Sequence, residues 1–386
     1  MSTNSTYLSP NGQQVTQGDG PVLELMVGTT EGVLTLSRAK VGMPWFISAR
    51  SLTHCHIGQL LFEKKTGKLF AGAHADGGMW VSDDGKGKNW RSVNKGLSRK
   101  HIYALASRRI NENVTMFAGT SPAGLYRSND LGENWEEVSS IFEVPDTEKW
   151  TFPPPPHIPH VKQIVFHPAD PLTIYVLIEQ GAFLKSVDDG KTWTDLTSYS
   201  HPEDESYRDM HRLVIQPNTP KNFYIATGVG MYRSADGGQT FKRLTRRGER
   251  LGYPDFVFLH PKDFQTIYVG GSELNPGKWY ETGMAKSCVM RSSDAGNSWE
   301  ELKNGMPEPM KGAIEAMTQH YWDGGMNLFV GTATGEVYLS EDEGFSWVCI
   351  ANEIKPISKD DHHIPFISEE KRKEEMDRRH RAMAKN

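Results

Sequence analysis

The chain has few cysteines and no long apolar run, and both absences narrow its class. Three of its 386 residues are cysteine, namely Cys55, Cys288 and Cys349. Three thiols are too few for a scaffold held by disulfides, and they suit a reducing compartment. Residues 1–19 are polar and lack the apolar core of a secretory signal, and no run approaches the length that spans a bilayer. The sequence therefore predicts a cytoplasmic protein without disulfides or membrane segments.

An excess of positive charge is also missing. The formal net charge is −5, with 43 lysine and arginine residues against 48 aspartate and glutamate residues. No basic stripe runs through the sequence, so nucleic acid is not an expected partner. With 37% hydrophobic residues the chain is long enough to bury a sizeable core. A small-molecule substrate is the expected partner, and the oligomeric state stays open.

What the sequence does contain is an eight-residue segment that recurs along most of its length. The copy at 186–193 reads Ser-Val-Asp-Asp-Gly-Lys-Thr-Trp. Close copies begin at Ser128, Ser234, Ser292 and Ser340, and a longer copy occupies 82–90. The aspartate can accept backbone N–H groups across a tight turn, the glycine supplies a positive φ, and the aromatic residue packs back on the hairpin. We interpret these residues as structural rather than catalytic.

The pattern Ser-x-Asp-x-Gly-x-(Ser/Thr)-Trp resembles the Asp-box, or BNR repeat, of the WD40/YVTN/BNR-like, sialidase- and sortilin-like β-propellers. The resemblance covers roughly residues 22–360 and implies a propeller fold. Sialidases also need an arginine triad, a tyrosine nucleophile and an early Arg-Ile-Pro motif, and that motif is absent here. Arg127, Arg233 and Arg291 precede the turn serines, which puts them on third strands away from the axis. The resemblance therefore gives little support to sialidase activity.

The spacing of the copies predicts the number of blades. Counting a decayed copy after the strand pair at 25–37, the marker serines fall at 37, 82, 128, 186, 234, 292 and 340. A period in the forties is typical of four-stranded blades. The predicted fold is all-β, a seven-bladed β-propeller of four-stranded antiparallel blades whose ring is closed by N- and C-terminal strands in one blade.

The same pattern predicts the limits of the domain. We expect residues 1–21 to be a flexible tail, residues 22–365 to form the propeller and residues 366–386 to form a charged tail. The segment 353–358 is expected to close the ring beside the N-terminal strands, which would remove the open edges.

Long, irregular loops are predicted on one face of the ring. They span 142–159, 198–210, 245–254 and 272–286, and they carry several aromatic residues, including Tyr207. Loops on a rigid scaffold commonly carry function, although drift in loop length is the alternative. We predict a pocket on this face whose substrate-binding residues are His74, Tyr103, Trp150, Lys162, Glu179, Arg212, Tyr253 and Trp279.

Histidines occur near the starts of four successive inner strands. They are His56, His101, His160 and His211. Inner strands line the channel of a propeller, so these side chains are expected to converge near its axis. Imidazoles are common ligands of iron, copper and zinc, which predicts a transition metal ion as cofactor. Asp255 and Glu315 follow on the next two blades and are predicted to be catalytic, as general base or by orienting the ligands. The alternative is a wet channel mouth whose histidines bind water and one another.

Three functions follow from these observations. The main hypothesis is a metal-dependent enzyme, a hydrolase, lyase or oxygenase, acting on a small anionic or phenolic substrate at the channel mouth. A second hypothesis is a non-catalytic binding or assembly propeller. A third is a glycoside hydrolase-like enzyme, although the sialidase motifs are absent.

Overall fold

The computed structural model describes residues 4–152, 156–196, 209–370 and 372–373. These residues form seven small sheets, which are the blades of a seven-bladed β-propeller, as the repeat spacing predicts. Strands are numbered in chain order. Most neighbouring strands within a blade are antiparallel, and each blade has one strand beside the central channel.

The first three blades come from the N-terminal part of the chain. Blade 1 contains β1 (Ser5–Leu8), β3 (Glu24–Thr29), β4 (Gly32–Ser37) and β5 (Phe46–Ser51). Blade 2 contains β6 (Ile57–Glu63), β7 (Lys68–Ala73), β8 (Gly78–Ser82) and β9 (Arg91–Ser92). Blade 3 contains β10 (His101–Ile110), β11 (Asn113–Ser121), β12 (Gly124–Ser128) and β13 (Glu136–Glu137).

The remaining blades follow in order. Blade 4 contains β14 (Val161–Phe166), β15 (Ile174–Ile178), β16 (Ala182–Ser186) and β17 (Thr194–Asp195). Blade 5 contains β18 (Met210–Ile215), β19 (Phe223–Thr227), β20 (Gly230–Ser234) and β21 (Lys242–Arg243). Blade 6 contains β22 (Tyr253–Leu259), β23 (Ile267–Ser272), β24 (Ser287–Ser292) and β25 (Glu300–Glu301). Blade 7 contains β2 (Val15–Gln17), β26 (Ile314–Trp322), β27 (Gly325–Thr332), β28 (Val337–Ser340) and β29 (Val348–Ala351).

Helical structure is sparse. The α-helix α1 (Pro276–Thr282) lies between β23 and β24 and is capped by Asn275, whose side chain accepts from the N–H of Lys278. Residues 369–370 and 372–373 are also helical. Short 3₁₀ turns occupy Ser139–Glu143, Thr147–Lys149 and Ile364–Phe366. Among the described residues, no helix has the length and apolar character needed to span a bilayer.

The recurring segment forms the turn that its residues predict. In blade 4, Ser186 Oγ donates to Asp188 Oδ1 and accepts from Gly190 N, each at 2.8 Å. Asp188 Oδ1 also accepts the backbone N–H of Thr192 at 2.9 Å, and Gly190 has a φ of +80°. Hydrogen bonds from the side chain and backbone of Thr192 lower the pKa of Asp188 to about 2. Equivalent bonds recur in blades 3, 5, 6 and 7, so the turn is a repeated structural device.

The N-terminal residues close the ring. Strand β1 is the innermost strand of blade 1 and runs parallel to β3, with Ser5 opposite Glu24. Strand β2 runs parallel to β26, so blade 7 combines N- and C-terminal strands. Leu8 is fully buried among residues of blades 1 and 7. The expectation of a flexible tail over 1–21 is therefore wrong from residue 4 onward, because this segment supplies the inner strand that blade 1 otherwise lacks.

The segment 353–358 does not form the strand that the sequence analysis expected. Instead, Thr30 N donates to Pro356 O at 2.8 Å, and Ile357 N donates to Thr332 O at 3.2 Å. The segment thus ties blade 1 to blade 7 without entering either sheet. Of the expected charged tail 366–386, Phe366 is buried, whereas residue 371 and residues 374–386 lie outside the described residues.

Between its two strands, the N-terminal segment crosses the central channel. We call Ser9–Gln14 the cross-piece. Its Asn11 N donates to Gly58 O in blade 2 at 2.8 Å, and its Pro10 O accepts from Arg212 in blade 5 at 3.2 Å. Its Gln13 side chain donates to Val257 O in blade 6 at 2.6 Å. The cross-piece therefore divides the channel, and on one side of it lies a mainly apolar cavity of about 650 Å³.

Glutamine side chains fix the inner strands of neighbouring blades to each other. Gln59 accepts from Leu105 N at 2.7 Å and donates to Leu105 O at 2.8 Å. Gln163 makes the same pair of bonds with Leu213, at 2.7 and 3.3 Å. Because these bonds satisfy buried backbone groups across the blade boundary, they hold the strand starts around the axis in fixed positions.

Candidate functional site at the channel mouth

Inner strands β6, β10, β14, β18, β22 and β26 all begin on one face of the ring, which we call the mouth face. Each has a register shift at the same place in its pairing with the second strand. The extra residues are Gly58, Tyr103, Lys162, His211, Asp255 and Glu315. A bulge leaves one residue outside the ladder and redirects its side chain. Six blades thus each present one such residue at the mouth.

A row of stacked rings lines one side of the mouth. The rings of His56 and His74 are 4.7 Å apart, and those of His74 and His101 are 4.8 Å apart. Tyr103 stacks on His74 at 4.9 Å and on His160 at 3.8 Å. Burial, followed by the neighbouring rings, lowers the pKa of His74 well below its ordinary value. Burial also lowers the pKa values of His101 and His160, so these two rings and His74 are neutral at pH 7.

The glycine in the ring of bulge residues makes room for this row. A Cβ on Gly58 would lie 2.2 Å from Nε2 of His74. His74 follows β7, and its side chain occupies the space that the bulge residue fills in the other blades. His74 thus lies at the mouth, and its role in substrate binding stays a prediction.

The four predicted metal ligands do not form one cluster. His101 and His160 lie on either side of Tyr103, with ring centroids 5.7 and 3.8 Å from it. Within the described residues, the groups whose ligand atoms lie within 4.8 Å of one another are His74, His101 and Asp360, and separately Glu179, Asp209 and His211. His56 belongs to neither group, since its Nε2 donates to Ser358 O at 2.8 Å. Binding of iron, copper or zinc stays a prediction.

Glu179 is the most strongly held carboxylate at the mouth. It follows β15, is 2% exposed, and accepts from Nε2 of His160 at 2.8 Å and from the ammonium of Lys162. Burial alone would raise the pKa of Glu179. The charge of Lys162 and then the ring of His160 outweigh that effect and hold the pKa well below its ordinary value. Glu179 is therefore ionised at neutral pH.

Asp209 lies beside Glu179, one blade further along. Its Oδ1 is 3.4 Å from Nε2 of His211, and one oxygen of each carboxylate belongs to the group within 4.8 Å. Nδ1 of His211 donates to Pro254 O at 2.7 Å, which orients the ring. Gly228 leaves room for the aspartate, because a Cβ there would lie 1.9 Å from Asp209 Oδ2. The site thus contains two carboxylates at short range.

Arg212, the residue after His211, is completely buried. Its guanidinium donates to His211 O at 3.0 Å and to Pro10 O at 3.2 Å, and it lies 5.0 Å from the ring centroid of Phe256. Burial lowers the pKa of Arg212 to about 10, which still leaves it charged at neutral pH. Arg212 lies at the mouth, but its guanidinium donates to backbone carbonyl oxygens.

Asp255 and Glu315, the residues predicted to be catalytic, both hold a segment from the C-terminal end of the described chain. Asp255 pairs with the ammonium of Lys359. Glu315 accepts from Lys359 N at 2.8 Å and pairs with Nδ1 of His362 at 3.0 Å. Both carboxylates therefore have partners within the chain, which the sequence analysis did not foresee.

The predicted aromatic walls differ in their placement. Tyr253 is at the mouth, with its ring 4.7 Å from that of His211. Trp150 is packed into the core cluster between blades 3 and 4, and Trp279 is 1% exposed and packed on Phe366. Both tryptophans are thus core residues, because their loops fold back onto the blades. Tyr207 lies outside the described residues.

Sequence reasoning missed Asp209, although a signal was present. The aligned starts of β6, β10, β14 and β18 place His56, His101, His160 and Asp209 at the same position. His211 instead shares with Tyr103 and Lys162 the position two residues further along the strand. Lys359 carried no signal, since it lies in no repeat.

The fold and its charged mouth define the class of the protein as a seven-bladed propeller with a buried ionic site. The chain was compared with family models, curated proteins and solved structures. No family model matches the chain. A xyloglucanase of Paenibacillus sp is 25% identical over 300 residues, covering 68% of this chain and 27% of that protein. A xyloglucanase of Acetivibrio thermocellus is 24% identical over 286 residues, covering 66% of this chain and 32% of that protein. The chain thus spans about a third or less of the length of these relatives.

Solved structures support the same fold. An ancestral GH74 enzyme superposes with a TM-score of 0.57 at 15% identity, over 73% of this chain and 36% of that one. The GH74 xyloglucanase from Xanthomonas campestris gives 0.54 at 16% identity, over 76% and 45%. These likenesses are to the propeller architecture.

The comparisons contradict the main hypothesis from the sequence. A metal-dependent hydrolase, lyase or oxygenase for an anionic or phenolic substrate is wrong, because the similar curated proteins are named as xyloglucanases. The glycoside hydrolase-like alternative fits them better.

Proposed function

We propose that this propeller hydrolyses a glycosidic bond at its mouth, with Glu179 and Asp209 as the reacting carboxyl groups. The observation that carries the proposal is this pair, whose oxygens lie within 4.8 Å in a nearly dry site. Most glycoside hydrolases use two such carboxyl groups. Similarity to xyloglucanases over two thirds of the chain supports the substrate class, a saccharide.

The surroundings of the pair assign a role to each member. Glu179 is held ionised by Lys162 and His160, which suits a nucleophile or a base. Asp209 is then the candidate acid for the leaving oxygen, with His211 orienting its carboxyl group. Retaining enzymes have carboxyl groups about 5–5.5 Å apart, whereas inverting enzymes need room for a water between them. The short separation here predicts hydrolysis with retention of anomeric configuration.

Polar atoms elsewhere at the mouth are available to sugar hydroxyl groups. Nε2 of His101, Oδ1 of Asp255 and Oδ1 of Asn11 are buried and have no hydrogen-bond partner among the described residues. Buried polar atoms need partners, and hydroxyl groups can both donate and accept.

The experiment is an assay of the purified protein on xyloglucan oligosaccharides and aryl glycosides, with the product anomer read by proton NMR. Glu179→Gln and Asp209→Asn are each expected to lower kcat/KM by about 10²–10⁴-fold. Asp146→Asn, at an exposed carboxylate, is the control and leaves activity unchanged. Unchanged hydrolysis in either site variant, or an inverted product, contradicts the proposed roles.

We also propose that the repeated Ser-x-Asp turns relate this chain to the Asp-box propellers. The support is the hydrogen bonding of Ser186 and Asp188 and its repetition in four further blades.

A further inference from the structure

The segment Ser358–Phe366, which we call the strap, crosses the mouth face. Near one end, Ser358 O accepts from His56, and Asp360 N donates to Nδ1 of His74 at 3.0 Å, both in the region of blade 2. Further along, His362 pairs with Glu315 on β26. The strap thus runs from blade 2 to blade 7, the two neighbours of blade 1, and Lys359 extends its contacts to Asp255 in blade 6.

Lys359 is the deepest residue of the strap. It is fully buried, its ammonium pairs with Asp255, and its backbone N–H is bound by Glu315. Burial, and then the charges of Lys162 and Arg212, lower the pKa of Lys359. The ammonium of Lys359 and the guanidinium of Arg212 each lie 5.0 Å from the ring centroid of Phe256, so the lysine reaches the charged groups of the mouth.

The far end of the strap is held by apolar packing. Phe366 stacks against Trp279 with ring centroids 5.7 Å apart, and Lys311 donates to Phe366 O at 3.3 Å. Trp279 is in turn fixed by a hydrogen bond from its Nε1 to Leu274 O at 2.6 Å. Since the ring is closed by β1 and β2, the strap is not needed to complete any blade.

The channel below the mouth is obstructed as well. The cross-piece runs under the site, where Pro10 O is bonded to Arg212 and Asn11 lies 3.5 Å from Nε2 of His74. The interior of a polysaccharide needs a cleft that is open at two ends. This mouth has a floor made by the N-terminal segment and a roof over the side that includes blades 2 and 7.

We infer that the strap is the roof of the saccharide site, and that the site therefore takes the end of a short saccharide rather than the interior of a polysaccharide. The inference rests on the proposed hydrolase function. The roof blocks one direction along which a longer sugar chain would continue, so specificity for chain ends is set by the strap.

Two variants loosen the roof without changing Glu179 or Asp209. The first ends the chain after Ile357, and the second is Phe366→Ala, which removes the packing on Trp279. Lys355→Met is the matched control, because Lys355 is an exposed lysine just before the strap that pairs with Glu31. Circular dichroism and thermal unfolding establish that each variant is folded.

The measurement is the ratio of kcat/KM on polymeric xyloglucan to kcat/KM on a short xyloglucan oligosaccharide. The full chain is expected to prefer the oligosaccharide, and both strap variants are expected to raise the ratio at least tenfold while Lys355→Met leaves it unchanged. A rapid fall in polymer viscosity with the full chain, or a ratio unchanged in both strap variants, overturns the inference.

Binding separates this inference from the proposed function. If neither the full chain nor the variants cleave any glycoside, the proposed function fails. Affinity electrophoresis in xyloglucan gels then tests separately whether the strap excludes the polymer from the mouth. Retardation by the polymer in the strap variants but not in the full chain then supports the roof. Equal retardation of all forms overturns it.

Discussion

The replacement Lys162→Met tests whether Lys162 and Glu179 form an ion pair that is shielded from water. The side chains of Lys162 and Glu179 are 1% and 3% exposed. Removing one partner of a buried ion pair leaves the other charge uncompensated, at a cost of about 3–5 kcal/mol. We therefore expect the free energy of unfolding at pH 7 to fall by about that amount, as measured by urea denaturation.

The loss has a predicted dependence on pH. In the native protein the pKa of Glu179 is depressed, so its contribution to stability is present above the unfolded-state pKa of about 4.3 and is lost as pH falls through the lower folded-state value. Without the ammonium of Lys162, burial dominates and raises the pKa of this carboxyl group. The deficit of the variant thus grows as pH rises above about 4.3, so it is smaller at pH 4 than at pH 7, and it disappears only as pH falls through the depressed pKa of Glu179 in the native protein.

Two further variants serve as controls for this experiment. Lys149→Met breaks an exposed pair with Asp146 and is expected to cost less than about 1 kcal/mol. The double variant Lys162→Met/Glu179→Gln leaves no unpaired charge and is expected to regain most of the loss. A cost below about 1 kcal/mol for Lys162→Met, or an equal deficit at both pH values, would refute the reasoning.

Three other outcomes are expected. Leu8→Ala should lower the free energy of unfolding, measured in urea, by about 2–5 kcal/mol because Leu8 is fully buried. The control Val15→Ala, at a partly exposed strand residue, should cost less. Equal small losses in both variants would show that β1 does not close the ring. Gly228→Ala should lower kcat for glycoside hydrolysis, since its Cβ would displace the Asp209 carboxyl group, and an unaltered kcat would contradict this. Gln163→Leu should cost about 1–3 kcal/mol by leaving buried backbone groups unpaired, and a silent substitution in urea would contradict the blade-to-blade bonds.

The blades were predictable because their signals are local and repeated. Each turn needs an aspartate, a glycine with positive φ and short strands on either side, and these requirements act within eight residues. Asp188 and Gly190 meet them in the structure as their spacing indicates. Repetition then fixes the number of blades independently of any single assignment.

The two terminal segments were not predictable in this way. Strand β1 pairs in parallel with β3, and the strap contacts residues up to about 300 positions away, such as His56. Such contacts depend on which edge the assembled ring leaves open, and no periodicity marks them. The apolar Tyr7 and Leu8 were a weak signal that the segment is buried.

The sequence placed the site residues on the correct face of the ring but did not show which side chains lie next to each other. The bulges in the inner strands explain this difference. Alternation along a strand gives correct faces only where the ladder is regular. Six inner strands carry an extra residue near their starts, and His211 is that residue in β18, two residues beyond the position that His160 occupies in blade 4. Its ring therefore lies beside Glu179. The four histidines all lie at the mouth, but their side chains do not form one set of possible ligands.

The ionic groups at the mouth are difficult to explain as a device for stability. Apolar residues of similar volume commonly match or exceed a buried ion pair in stability, since desolvation offsets most of the attraction. Yet Lys162, Arg212 and Lys359 are all buried here together with Glu179 and Asp255. The propeller tolerates this cost because each blade is held by its own ladder and by packing against its neighbours, so no ionic pair is needed to maintain the ring. Glu179, Arg212 and Lys359 have strongly shifted pKa values and are gathered at one end of a rigid channel. Such a cluster is characteristic of a site whose chemistry, rather than stability, accounts for the burial of its charges.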